Sequence, residues 1–249
     1  MSIDKIYCMD CLEGMRQMES GSVSLIIADP PYELQQHNEK GGSAFGKKGR
    51  DYHQGIDHLQ SGVSNEVLEE CLRVCKHPNM YIFCSKDQLP QLLGFALSHK
   101  LKYDLLTWHK TNPVPTCNNK YLSDTEYIVF MRNGANLYGT YETKRKYFIT
   151  QTNTADKKAF GHPTPKPVPI IKTLIENSTQ VGDVVLDPFM GSGTTAIAAI
   201  RSNRHYIGFE LSEEYHKTCI NRVAQEHSER TRPHGSERGA DNTEGGDNA

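Results

Sequence analysis

The chain has no run of 18 or more apolar residues, the length a membrane-spanning helix requires, and no signal-peptide pattern at its start. Both absences point to the cytosol and away from a membrane. Seven cysteines, an odd number in irregular places, suit a reducing compartment better than a disulfide framework. Cys8 and Cys11 have the spacing of a metal pair, but their nearest partners, Cys71 and Cys75, are four apart on an expected helix. Small core residues explain all four, and no metal is expected. No Gly-Lys-Ser/Thr completes a triphosphate-binding loop, and no internal repeat is visible. The formal net charge is only −2, and the stretch from Ser228 onward, with five acids and three arginines, accounts for all of it. The remaining body is about neutral, so contact with a charged partner must come from local clusters. That last stretch also lacks apolar residues to bury, and 228–249 reads as a disordered tail.

What is present alternates between strand and helix as a doubly wound α/β fold does. Val23–Ala28 is a short buried-strand pattern, Asn65–Lys76 an amphipathic helix and Met80–Cys84 a strand. Gln88–Ser98 is helical, Asp104–Trp108 and Thr125–Phe130 are strands, and Glu213–Gln225 is a late helix. A length of 249 residues suits one domain, over 1–227, with a large core.

Two motifs carry the chemistry. The strand Val23–Ala28 ends in Asp29-Pro30-Pro31-Tyr32, at the sheet edge where α/β folds bind ligands. The two prolines lack N–H groups and stiffen the turn, so its carbonyls point outward as acceptors. Asp29 and the Pro30 carbonyl can accept both hydrogens of an exocyclic amine while Tyr32 stacks on the ring. A strand-ending turn with a core tyrosine would look the same. The second motif, Val184–Thr195, reads as strand, glycine turn and helix start, with Asp187, Pro188, Phe189, Gly191, Ser192, Gly193 and Thr194 at the turn. Gly191 and Gly193 let backbone approach a ligand, and Glu210 closes the next strand where an acid binds ribose hydroxyls. The turn alone does not separate NAD from S-adenosylmethionine.

The pairing of the two motifs resembles the amino-methyltransferases of DNA, which methylate adenine N6 or cytosine N4. The resemblance runs from about Ile3 to about Val223. The catalytic motif comes first and the glycine turn last, preceded by His162-Pro163-Thr164-Pro165-Lys166-Pro167, which is the order of the β-group of these enzymes. It implies a Rossmann-like, doubly wound mixed sheet of the class I methyltransferase type, circularly permuted. The opening strand Lys5–Asp10 then lies beside Arg204–Glu210. The cofactor implied is S-adenosylmethionine, held by Asp10, Cys11, Asp29, Thr164, Lys166, Asp187, Pro188, Phe189, Gly191, Ser192, Gly193, Thr194, Glu210 and Leu211. Asp29, Pro30, Pro31 and Tyr32 are the implied catalytic residues. Asp10 reads equally as a helix N-cap.

Double-stranded DNA is the implied partner, and the charge clusters agree. Residues 40–50 hold Lys40, Lys47, Lys48 and Arg50 with no acid, and 131–160 hold six basic residues, Lys144, Arg145 and Lys146 among them, against two acids. Solvated loops would have the same composition. By resemblance, about 33–60 forms a mobile loop, about 133–161 a small target-recognition insertion, and Asn112 lines the base pocket. A homodimer and a cognate restriction nuclease belong to the same expectation, as does the cytosol of a bacterial or phage-infected host. An aspartate at position 29 leans toward adenine over cytosine in this group. Cytosine N4 methylation, or a non-catalytic DNA- or cofactor-binding module, are the other readings. A nicotinamide oxidoreductase leaves Asp29-Pro-Pro-Tyr32 unexplained.

Overall fold

The computed structural model describes residues 1–31, 62–113, 119, 121–152 and 166–231. Tyr32, Lys47, Lys48, Arg50, Thr164, the whole expected loop at 33–60 and residues 153–161 of the expected insertion lie outside that set.

Eight described strands form one sheet: β1 (Lys5–Cys8), β2 (Leu25–Ala28), β3 (Asn79–Cys84), β4 (Lys102–Lys110), β5 (Thr125–Arg132), β6 (Tyr147–Thr150), β7 (Val184–Asp187) and β8 (His205–Glu210). Their spatial order is β1-β8-β7-β2-β3-β5-β4-β6. β1, β8, β7, β2 and β3 run parallel, β5 is antiparallel to both β3 and β4, and β6 pairs parallel with β4. The first strand therefore pairs with the last, Cys8 opposite Glu210, as a permuted chain requires.

The central strands β2 and β3 are buried at every residue because both faces are covered. On one face Ile26, Met80, Ile82, Val129, Leu186 and Phe209 pack under α1 (Cys11–Arg16), α2 (Asn65–Val74) and α3 (Leu89–Ser98). On the other, Leu25, Ile27, Tyr81, Phe83, Ile128 and Val185 pack under α4 (Val168–Ser178), α5 (Thr194–Arg201) and α6 (Glu213–Thr231). The odd–even split along each strand is the two-residue period of a pleated sheet. The fold is thus the doubly wound mixed sheet of the class I methyltransferases.

Three elements differ from the sequence expectation. β6 lies within the stretch read as an insertion. It is held there by Phe148, which packs on the core, and by the Trp108 indole N–H, which donates to Thr150 Oγ1 at 2.8 Å. α4 was not expected as a separate element, although Ile170, Ile171, Leu174 and Ile175 recur at helical spacing and are all buried. α6 continues past Ser228 to Thr231, beyond the expected start of the tail. Arg230 explains this, since its guanidinium donates to the Ile200 carbonyl and to Asn203 Oδ1.

Two glycines in helices make opposite predictions. A Cβ at Gly14, in α1, would sit 2.3 Å from the buried Phe209 ring, whereas one at Gly94, in α3, would meet nothing within 4 Å. Gly14→Ala should lose about 1–3 kcal/mol of stability to overpacking. Gly94→Ala should gain about 0.5–1 kcal/mol from helix preference. Thermal unfolding of the two variants checks both, and equal shifts would contradict this packing.

Candidate active site

β2 and β7 are parallel neighbours, with Ile26 opposite Leu186. β2 runs into Asp29-Pro30 and β7 ends in Asp187-Pro188, so both acids reach the same C-terminal edge, Asp29 two positions further along the register. A small cleft, open to solvent, forms there, and Asp29, Phe83, Lys166, Asp187, Phe189, Gly191, Ser192 and Thr194 are among its lining residues. The two motifs singled out in the sequence therefore share one cleft. Pro30 is buried and Pro31 half-buried beside it.

The glycine turn is built by its neighbours. Gly193 adopts φ +85°, and a Cβ there would stand 2.5 Å from Cys219 Sγ, so both conformation and space call for glycine. Glu210, buried, accepts from the Gly191 N–H at one carboxylate oxygen and the Ser212 N–H at the other, both at 2.8 Å. Asp187 accepts from the Phe189 N–H at 2.9 Å and the Thr195 hydroxyl at 2.5 Å. Arg222 of α6 donates to the Ser192 carbonyl from below. Asp10 caps α1, accepting from the N–H groups of Leu12 and Glu13, and the adjacent Met9 N–H bonds the Glu210 carbonyl. Asp10, Asp187 and Glu210, three of the acids expected at the cofactor, thus also fix their own turns. Leu211 is half-buried after Glu210, and Cys11 is buried at the start of α1. Burial drives the Cys11 thiol up to about 12, so it stays neutral.

A chain of charges crosses the site. Lys166 Nζ lies 2.8 Å from Asp29 Oδ2 and 3.1 Å from Glu126 Oε2, and Lys110 Nζ lies 2.6 Å from Glu126 Oε1. The side chains of Lys166 and Glu126 are only 6% and 10% exposed, while Asp29 is 24% exposed. Burial opposes ionisation of Glu126, but Lys166 and Lys110 outweigh it and hold its carboxyl down at about 2. Burial likewise works against the Lys166 charge, yet Asp29 and Glu126 raise its pKa above the usual lysine value. Two carboxylates and two ammonium groups thus balance.

Sequence reasoning did not single out Glu126 or Lys110. The signal was there: Glu126 is the lone acid in β5, beside the apolar run Tyr127–Met131, and an acid in a buried strand needs a partner. Because β5 runs antiparallel, its beginning, and not its end, reaches the active edge.

The residues expected at DNA are arranged less uniformly. Lys144, Arg145 and Lys146 are exposed, but Lys146 is paired with Asp104, and Arg145 donates to the Tyr147 hydroxyl. The exposed Asn112 accepts from the Thr152 N–H at 2.7 Å, tying the end of β4 to the chain leaving β6.

This fold and cleft define a class I methyltransferase. Residues 23–221 match the DNA methylase family, and the chain belongs to it: it is an S-adenosylmethionine-dependent DNA amino-methyltransferase. It is 30% identical over 241 residues to the type II methyltransferase M2.DpnII of Streptococcus pneumoniae, covering 87% of this chain and 88% of the relative. Among solved structures, it resembles an M1.HpyAVI–SAM complex, at 24% identity and a TM-score of 0.65, over 88% of this chain and 98% of that one. It also resembles the cytosine-N4-specific PvuII DNA methyltransferase, at 18% identity and a TM-score of 0.67, over 91% and 92% of the two chains.

Burial dominates Asp187 and pushes its carboxyl from 3.8 to about 7, with Asp29 and Glu210 adding to the rise. The native state then holds a proton that the unfolded chain has already released, so the ligand-free protein should lose stability as pH rises from about 4 to about 7. Asp187→Asn keeps an acceptor for Phe189 and a partner for Thr195 without the charge. The variant should show a shallower decline. Thermal unfolding at pH 5 and pH 8 tests this, and an unchanged decline would contradict the burial argument.

Proposed function

We propose that this methyltransferase modifies the N6 amino group of adenine in double-stranded DNA, with the base flipped out and the methyl passed in line. The observation that carries the reading is Asp29, a partly exposed carboxylate in the same cleft as the Gly191–Thr194 turn. Bound S-adenosylmethionine supplies an activated sulfonium methyl, so no protein nucleophile is needed. The residues suit that zwitterion, with carboxylates and the Lys166 ammonium lining one small cleft. The reading assigns the methionine end to Lys166, Asp187, Pro188, Phe189 and Gly191–Thr194, with Thr164 as a further contact. The adenosine end falls to Asp10, Cys11, Glu210 and Leu211.

Asp29 and the Pro30 carbonyl accept hydrogen bonds from the target amine. They hold its nitrogen in place and stabilise the positive charge that develops as the methyl transfers. Pro31 shapes the turn, and Tyr32 supplies the stacking face. A base inside the duplex does not reach this cleft, which is the argument for flipping. Lys47, Lys48, Arg50, Asn112, Lys144, Arg145 and Lys146 are assigned to DNA contact on the charge clusters of the sequence, although Lys146 pairs with Asp104 near the start of β4, away from the active edge. The same proposal includes a homodimer, a cognate restriction nuclease, supported by the type II name of the relative, and action in the cytosol, where the substrate lies.

Asp29→Ala should cut methyl transfer by about 10²–10³-fold or more while S-adenosylmethionine still binds, as a tritium-transfer assay with parallel cofactor titration measures. A variant that still methylates overturns the role of Asp29. Duplexes with only adenines or only cytosines available decide the base: label on adenine supports the proposal, and label on cytosine alone replaces it with N4 methylation.

A further inference from the structure

We infer that Glu126 is a positioning residue for methyl transfer, holding Lys166 between two carboxylates so that Asp29 remains a strong acceptor for the target amine. The inference rests on Asp29 being that acceptor. Lys166 is buried and reaches Asp29 and Glu126 at nearly equal distances, 2.8 and 3.1 Å. An ammonium held by Asp29 alone would concentrate its charge on one carboxylate and weaken it as an acceptor for a neutral amine. Glu126 draws that charge the other way. Lys110, 2.6 Å from the second oxygen of Glu126, keeps Glu126 ionised and the group neutral.

The geometry comes from the mixed sheet. β5 is antiparallel between β3 and β4, with Cys84 opposite Tyr127 and Trp108 opposite Glu126. The start of β5 and the end of β4 therefore meet at the edge where β2 releases Asp29. Among the described residues, Cys84, whose thiol burial drives up to about 12, and Asp187 across the cleft also face these charges.

The test is Glu126→Gln, which keeps shape and removes charge, with Glu126→Asp, which keeps charge and withdraws it by one methylene. Steady-state kinetics on methylatable duplex DNA should show kcat reduced at least about tenfold in Glu126→Gln and by less in Glu126→Asp. KM for DNA and the Kd for S-adenosylmethionine should stay within about threefold of the parent. If Glu126 acts through Lys166, adding Glu126→Gln to Lys166→Met should cause no further loss of kcat. Variants whose kcat stays within twofold of the parent overturn the inference, as does a loss that adds fully to that of Lys166→Met. A fall in kcat matched by an equal loss of cofactor affinity also overturns it, since that would mark a general collapse of the cleft. An active Asp29→Ala variant would instead overturn the role of Asp29 itself, so the two failures are distinguishable.

Discussion

The register between β2 and β7 is the constraint on which the site depends. The two strands come from opposite ends of the chain; the nearby bond from Ser24 to Asp183 spans 159 residues. Only their parallel pairing, Leu25 on Val185 and Ile26 on Leu186, brings the two Asp-Pro segments to the same edge. A slip of one residue would turn every side chain to the other face and carry one aspartate away from the cleft. The register is fixed by cores on both faces, with Leu25 and Ile27 packed one way and Ile26 and Ala28 the other. Core packing and chemistry are therefore one problem in this sheet.

The charges at that edge follow a similar logic. Removing one partner from a buried ion pair typically costs about 3–5 kcal/mol, because the other charge stays uncompensated. Asp29, Lys166, Glu126 and Lys110 avoid this by alternating in sign, from the partly exposed carboxylate into the sheet and out again at Lys110, 18% exposed. The acids at the other side solve their burial with backbone instead. Glu210 accepts from two backbone N–H groups and Asp10 from two more.

Much of this was legible in the sequence because it is local. Asp29-Pro-Pro-Tyr32 and the Gly191–Gly193 turn each combine a strand ending with residues that only a special turn explains, and the permuted order predicts that the opening strand brings Asp10 beside Glu210, where the structure pairs Cys8 with Glu210 two residues earlier. The elements that went unread depend on contacts the chain makes with distant parts of itself. β6 is four residues long and becomes a strand because β4 offers it an edge and Trp108 a hydrogen bond. The end of α6 is set by Arg230 reaching back to α5. Glu126 and Lys110 look like ordinary strand residues until the antiparallel turn of β5 brings them to Lys166.

The pairing of the first strand with the last also bears on how the chain comes to be folded. A ribosome releases β1 and β2 early, yet β8 and β7, the strands that complete their edges, emerge near the end. Until then β2 can pair only with β3, leaving an apolar strand with an open edge in a growing chain, a template for association with other chains. The antiparallel half, β3 with β5 and β4, needs only residues made close together in time and is free to form first. The order of synthesis thus lets the half bearing Glu126 and Lys110 form before β7 and β8 exist, and the catalytic cleft is complete only with those two strands.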